Sequence, residues 1–131
     1  MEISKRNDWA LLLLRITFGG AMLYGHGWGK LMRALGDDPI KFADPFGLGP
    51  EFSLYLAVFA EVVCAALLII GLFSRWATIP LIITMLVAIF YAHAGDPFGK
   101  IEKGLMYLVV YVSLLLTGPG WYSLDEQVRN R

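Results

Sequence analysis

Apolar positions along this chain gather in long blocks, not in the short alternations of a half-buried soluble fold. The blocks cover about residues 9–32, 52–73, 76–93 and 103–118. Each is close to the roughly 20 apolar residues that a helix needs to cross the hydrocarbon core of a bilayer. The pattern predicts an all-α fold: an integral membrane four-helix bundle, up-down-up-down, forming one transmembrane domain over 1–131. Lys5 and Arg6 precede the first block as in a secretory leader. That block is too long for one and no small-x-small cleavage site follows, so it reads as a retained helix. Beyond Gly118-Pro119-Gly120, the phrase Ser123-x-x-Glu126 reads as a capping box and predicts a short C-terminal interfacial helix, with Leu124 and Val128 against lipid or bundle.

Aromatic anchors set the register. On an up-down-up-down path Trp9, Trp76, Trp121 and Tyr122 fall at one face, where indole and phenol favour the membrane–water interface. Lys5, Arg6, Arg75, Arg129 and Arg131 lie on that face, against Lys30, Arg33, Lys41, Lys100 and Lys103 on the other. The tie leaves orientation to Arg75, in the tightest loop, which places the termini in the cytoplasm. The opposite face carries two loops with a shared phrase, "ADPFGLGP" from Ala43 and "GDPFGK" from Gly95. Proline fixes φ and glycine accepts positive φ, so both read as turns. Phe46 and Phe98 then either decorate two similar surface turns or fold inward as lids.

Composition narrows the class. Hydrophobic residues make up 57% of the chain and charged residues 17%, against about a quarter charged in ordinary soluble domains. Eleven basic residues balance eleven acidic ones, which argues against a nucleic-acid partner. The one cysteine, Cys64, excludes an internal disulfide, and no zinc spacing exists.

Against this apolar background the embedded ionisable residues are few: Arg15, His26, Lys30, Glu61 and His93. Such residues are costly in a membrane and raise a functional hypothesis. Arg15, Gly19, Met22, His26 and Lys30 recur at helical spacing and share one face, with Gly19 permitting close approach. His26 stands 17 positions beyond Trp9, and His93 stands 17 beyond Trp76, a rise of about 25 Å each. The two imidazoles are thus expected at one level. Glu61, about 13 Å deep from the face opposite the tryptophans, lies between that level and Arg15, and the expected structural ion pair is Arg15–Glu61. Lys30 either snorkels outward or joins the site. Tyr107 and Tyr111, four apart, supply hydroxyls or simply pack. His26, Lys30, Glu61, His93, Tyr107 and Tyr111 are the candidate ligand-binding or proton-relay residues. His26, His93 and Glu61 are also a donor set for a divalent metal. A quinone fits better, because its head group is hydrogen-bonded and proton-coupled and it arrives from within the bilayer.

At this point the residues resemble a known family. "LLLRITFGG" with "YGHGWGKLM" is similar to the first-helix signature of DoxX-type membrane proteins. The stretch from Phe59 to Phe98, carrying Glu61, Gly71, Arg75 and His93, resembles their next two helices, and "GPGWYSLD" their closing signature. The resemblance implies a four-helix bacterial inner-membrane protein with cytoplasmic termini. It also implies a link, through some relatives, to thiosulfate:quinone oxidoreduction or membrane oxidoreductase complexes.

Three classes of function follow. The first is a subunit of a membrane redox system that binds a quinone or another lipophilic ligand and works with a redox-protein partner. The second is a non-catalytic bundle that assembles other membrane proteins. The third is a small transporter working as a homo-oligomer.

Overall fold

The computed structural model describes residues 3–130, and Arg131 of the charge comparison lies outside them. These residues form five helices: α1 over 3–35, α2 Pro50–Ile70, α3 Ser74–Ala92, α4 Phe98–Thr117 and α5 Leu124–Arg129. The expected four-helix, four-span membrane bundle is corrected on both counts. Among the described residues there are five helices, and only α2 and α3 are long and apolar enough to cross a membrane.

Charge placement is the reason. In α4, Lys100, Glu102 and Lys103 occupy the first two turns. The apolar remainder, 104–117, rises about 21 Å, short of a core about 30 Å thick. In α1, Lys5, Arg6, Asp8, Arg15, Lys30 and Arg33 are spread along the rod and interrupt its apolar run.

Local chemistry sets the helix ends. Pro50 opens α2, where its missing N–H costs nothing. Gly71, at φ 76°, closes it, with Leu72 N donating to Leu67 O (3.0 Å). Any side chain at Gly71 would collide with Ser123 and the Arg15 guanidinium. Asp125 accepts from Phe73 N (2.7 Å) and Ser74 N (2.9 Å), covering amides left free where α3 begins. Ser123 Oγ accepts from Glu126 N (3.3 Å) at the start of α5.

The interior is built from small residues and a few large ones. Ala65, Leu68, Leu81, Tyr111 and Leu114 are almost wholly enclosed. At Gly19, where a Cβ would lie 2.7 Å from Ile69 Cγ1, α1 closes on the second half of α2. Both ends of the described chain meet at the aromatic face. There Asp8 Oδ1 accepts from Trp121 N (3.0 Å), and the Trp9 and Tyr122 rings lie 4.9 Å apart.

Three helices depart from α geometry at the opposite end. Leu23–Gly27 in α1, Phe59–Cys64 in α2 and Ala88–Ala92 in α3 are π-helical turns. A π turn inserts a residue into the helical register, and such turns are often found at functional sites.

Candidate functional site

The π turn of α1 changes which residues face inward. On an unbroken α-helix Gly27 lies about 120° around from Arg15. Here Gly27 is buried against the backbone of Glu61, where an added Cβ would overlap the Glu61 carbonyl oxygen. Glu61 itself sits in the π turn of α2 and is 1% exposed. With Gly27 and Glu61 in contact, the carboxylate is level with Lys30, one turn on. Lys30 Nζ donates to both of its oxygens, at 2.7 and 2.8 Å.

The expected Arg15–Glu61 ion pair is therefore corrected: the partner of Glu61 is Lys30. Arg15 is 12 residues from Gly27, about 18 Å of helical rise, too far for its side chain to reach the carboxylate. Arg15 instead spends its guanidinium on carbonyls. Nε donates to Leu68 O (2.9 Å) and Nη2 to Ile69 O (2.8 Å), while Nη1 donates to Pro119 O (3.1 Å) and Tyr122 O (2.9 Å). Two of these carbonyls lie in the last turn of α2, where the helix supplies few amides, and Leu68 O is shared with Gly71 N (3.2 Å). A planar fork of five N–H donors suits this task.

Around the Lys30–Glu61 pair a cavity of about 800 Å³ opens between α1, α2, α3, α4 and the 36–49 loop. His26, Lys30, Glu61, His93 and Tyr107 all line it, so five of the six candidate residues share one chamber. Met22, Leu56, Ile83, Val87 and Ile89 supply much of its apolar wall. The His26 ring stands edge-on to Tyr107, with centroids 5.7 Å apart and planes at 89°. Neither His26 nor the Tyr107 hydroxyl has a hydrogen-bond partner among the described residues, although Tyr107 is only 8% exposed. His93 ends the α3 helix at the rim, its Nδ1 3.0 Å from Asp96 Oδ2.

Two candidates fall elsewhere. Tyr111 is fully buried and donates to Phe18 O (3.0 Å), tying α4 to α1 outside the cavity. Phe98 is exposed and does not line the chamber, whereas Phe46 does. Both rings are exposed, and the second loop phrase reaches the chamber through Gly99 and Lys100 instead. The metal alternative built on His26, His93 and Glu61 is not met: no three His, Cys, Asp or Glu side chains come together for an ion among the described residues.

The structure adds residues that sequence reading left out of the site. Lys100 and Lys103 line the chamber mouth from α4, and their spacing of three and four from Tyr107 through Lys103 was a legible signal. Phe42 lines it from the loop, where Arg33 lies 5.6 Å over its ring and donates to Lys41 O (2.6 Å). Asp44 organises the same loop. Its Oδ1 accepts from Leu48 N and Ser53 Oγ and its Oδ2 from Gly49 N, all at 2.9 Å. Loss of hydration works to raise the Asp44 pKa, but the Ser53 hydroxyl and the Gly49, Leu48 and Gly47 amides outweigh it and hold the pKa below the ordinary value.

Comparison with known proteins places this architecture. The DoxX family model matches residues 10–94, which takes in α2, α3 and most of α1. An uncharacterized protein of Haemophilus influenzae is 30% identical, with 96% of each chain covered. A second from the same organism is 30% identical over 68% of this chain and 62% of its own length. An uncharacterized membrane protein of Mycobacterium tuberculosis is 31% identical over 70% of this chain and 71% of its own. No solved structure matches significantly. These relationships carry membrane embedding and no redox chemistry, so the expected quinone and oxidoreductase roles gain no support from them. With its apolar α2 and α3 helices and a family match over more than half its length, this membrane protein belongs to the DoxX family.

Proposed function

We propose that the chain binds a lipophilic molecule with a polar head group in the chamber beside Lys30 and Glu61. One observation carries the reading. An apolar cavity of about 800 Å³ gathers its polar groups, His26, the Lys30–Glu61 pair and Tyr107, on shared walls. Ligand sites are commonly apolar pockets of about 300–1,000 Å³ with a few convergent polar groups. An ammonium has three donors. Glu61 takes two from Lys30, which leaves one for a ligand oxygen. Tyr107 supplies a hydroxyl, and His26 supplies a ring that can donate, accept or pass on a proton. The membrane supplies the tail's route of entry, since α2 and α3 bound the chamber and are long and apolar enough to cross a bilayer.

The test is a census of bound lipophiles: gentle purification, solvent extraction and mass spectrometry of wild type beside His26→Gln and Tyr107→Phe. The expected result is one enriched lipophile whose content falls about fivefold or more in both variants, with thermal unfolding unchanged. Extracts that merely mirror the bulk lipid, in wild type and variants alike, overturn the reading in favour of a non-catalytic scaffold. Recovery of a quinone would name the ligand and call for a redox partner.

We further infer a bacterial-type inner membrane with both termini cytoplasmic. The reading is supported by the meeting of Asp8 with Trp121 at the aromatic face and by the bacterial relatives. Reporter fusions at each terminus test it, and two periplasmic signals would refute it.

A further inference from the structure

The chamber's charge is lopsided. Three lysines line it, Lys30, Lys100 and Lys103, against one carboxylate, Glu61. Glu61 is committed to Lys30. Lys100 and Lys103 are exposed and form no ion pair among the described residues. At the rim His93 Nδ1 lies 3.0 Å from Asp96 Oδ2, so that carboxylate too has a partner. Behind these cations lie Tyr107, nine-tenths buried with an unpartnered hydroxyl, and the apolar wall of Leu56, Ile83 and Ile89.

We infer that the ligand is an anionic amphiphile, an alkyl chain ending in a carboxylate or phosphate, held with its head between Lys100, Lys103 and Tyr107 and its tail along α2 and α3. The inference rests on the proposed binding reading and specifies its substrate class. Two uncompensated ammonium groups at the mouth of a low-dielectric chamber attract an anion more strongly than they would in bulk water. A cationic head meets like charge there, and a neutral head leaves both lysines unpaired.

Three ligands with one tail and different heads separate the possibilities: palmitate, hexadecyl phosphate and hexadecanol, with hexadecylamine as the opposite charge. Each is titrated into the full-length protein in nanodiscs of zwitterionic lipid, with thermal shift as the readout. At least one anion is expected to bind about tenfold or more tightly than hexadecanol, which is about 1.4 kcal/mol. Palmitate alone points to a carboxylate head and hexadecyl phosphate alone to a phosphate head. K100Q/K103Q should abolish the preference for the anion over hexadecanol, and K100E/K103E should shift it toward hexadecylamine. Equal binding of anion and alcohol, or preference for the amine in wild type, overturns the inference and leaves the lipophile reading standing. If none of the four binds, the inference falls, and the lipophile reading stands or falls on the census of bound lipophiles.

Discussion

Gly27 rests on the backbone of Glu61 so closely that no side chain fits between them. That contact joins the π turns of α1 and α2 and brings Lys30 level with the buried carboxylate. Within a helix, replacing glycine by alanine ordinarily stabilises by about 1 kcal/mol. At Gly27 the sign should invert, because the added methyl must push two helices apart, at a cost of about 1–3 kcal/mol. Gly29, with open space around it, is the control and should show the ordinary gain. Thermal unfolding of Gly27→Ala and Gly29→Ala in one detergent checks both signs.

The Lys30–Glu61 pair is buried on its acidic side. Removing either partner leaves an uncompensated charge and should cost about 3–5 kcal/mol. A double replacement, Lys30→Met with Glu61→Leu, should recover most of that loss, since apolar substitution of a whole buried pair is often neutral. The double-mutant cycle measures the coupling; an additive result would show that the two groups stand independently.

Arg15 should behave as a structural clamp separate from the chamber. Arg15→Lys keeps the charge but cannot serve four carbonyls on two segments, and about 3 kcal/mol or more should be lost. Combined with Glu61→Gln, its effect should simply add, because the two residues share no contact. Strong coupling between them would restore the rejected ion pair.

Asp44 ties the loop that presents Phe42 and Phe46 to the chamber. Its folded pKa is depressed, so the stabilisation is complete above the unfolded carboxylate value of about 3.9. It is lost as pH falls through the lower folded value. Amide exchange at Leu48 and Gly49 should therefore stay slow from neutral pH down to about 4.5 and quicken, beyond the intrinsic pH dependence, only below about 4. Asp44→Asn should show the faster exchange already at pH 7. Protection lost near pH 6 in wild type would contradict this.

Much of this was legible in residue order, though unevenly. Helical content and the inward face carrying Arg15, Met22 and His26 follow from block length and spacing. The tight turn expected at Arg75 falls instead at 71–73, and Arg75 lies in the first turn of α3. The candidates His26, Lys30, Glu61, His93, Tyr107 and Tyr111 were singled out because ionisable and phenolic groups in apolar runs stand out, and all but Tyr111 line one chamber. The number of crossing helices was misread, because apolar length was weighed without the lysines and glutamate at the start of α4. The partner of Glu61 was misread too, because a depth estimate assumes regular α geometry, and π turns in α1 and α2 break that register.

The sequence by itself determined a helical, membrane-embedded chain with a short set of costly polar residues, since burial of apolar blocks and the expense of charge are local properties of composition and spacing. Only the tertiary structure decided that Glu61 binds Lys30 and that Arg15 serves backbone carbonyls. It alone also showed that Phe46 lines the chamber while Phe98 does not. Those choices depend on which residues face one another across helices, and a single inserted residue per turn, invisible in the pattern, rotates that answer.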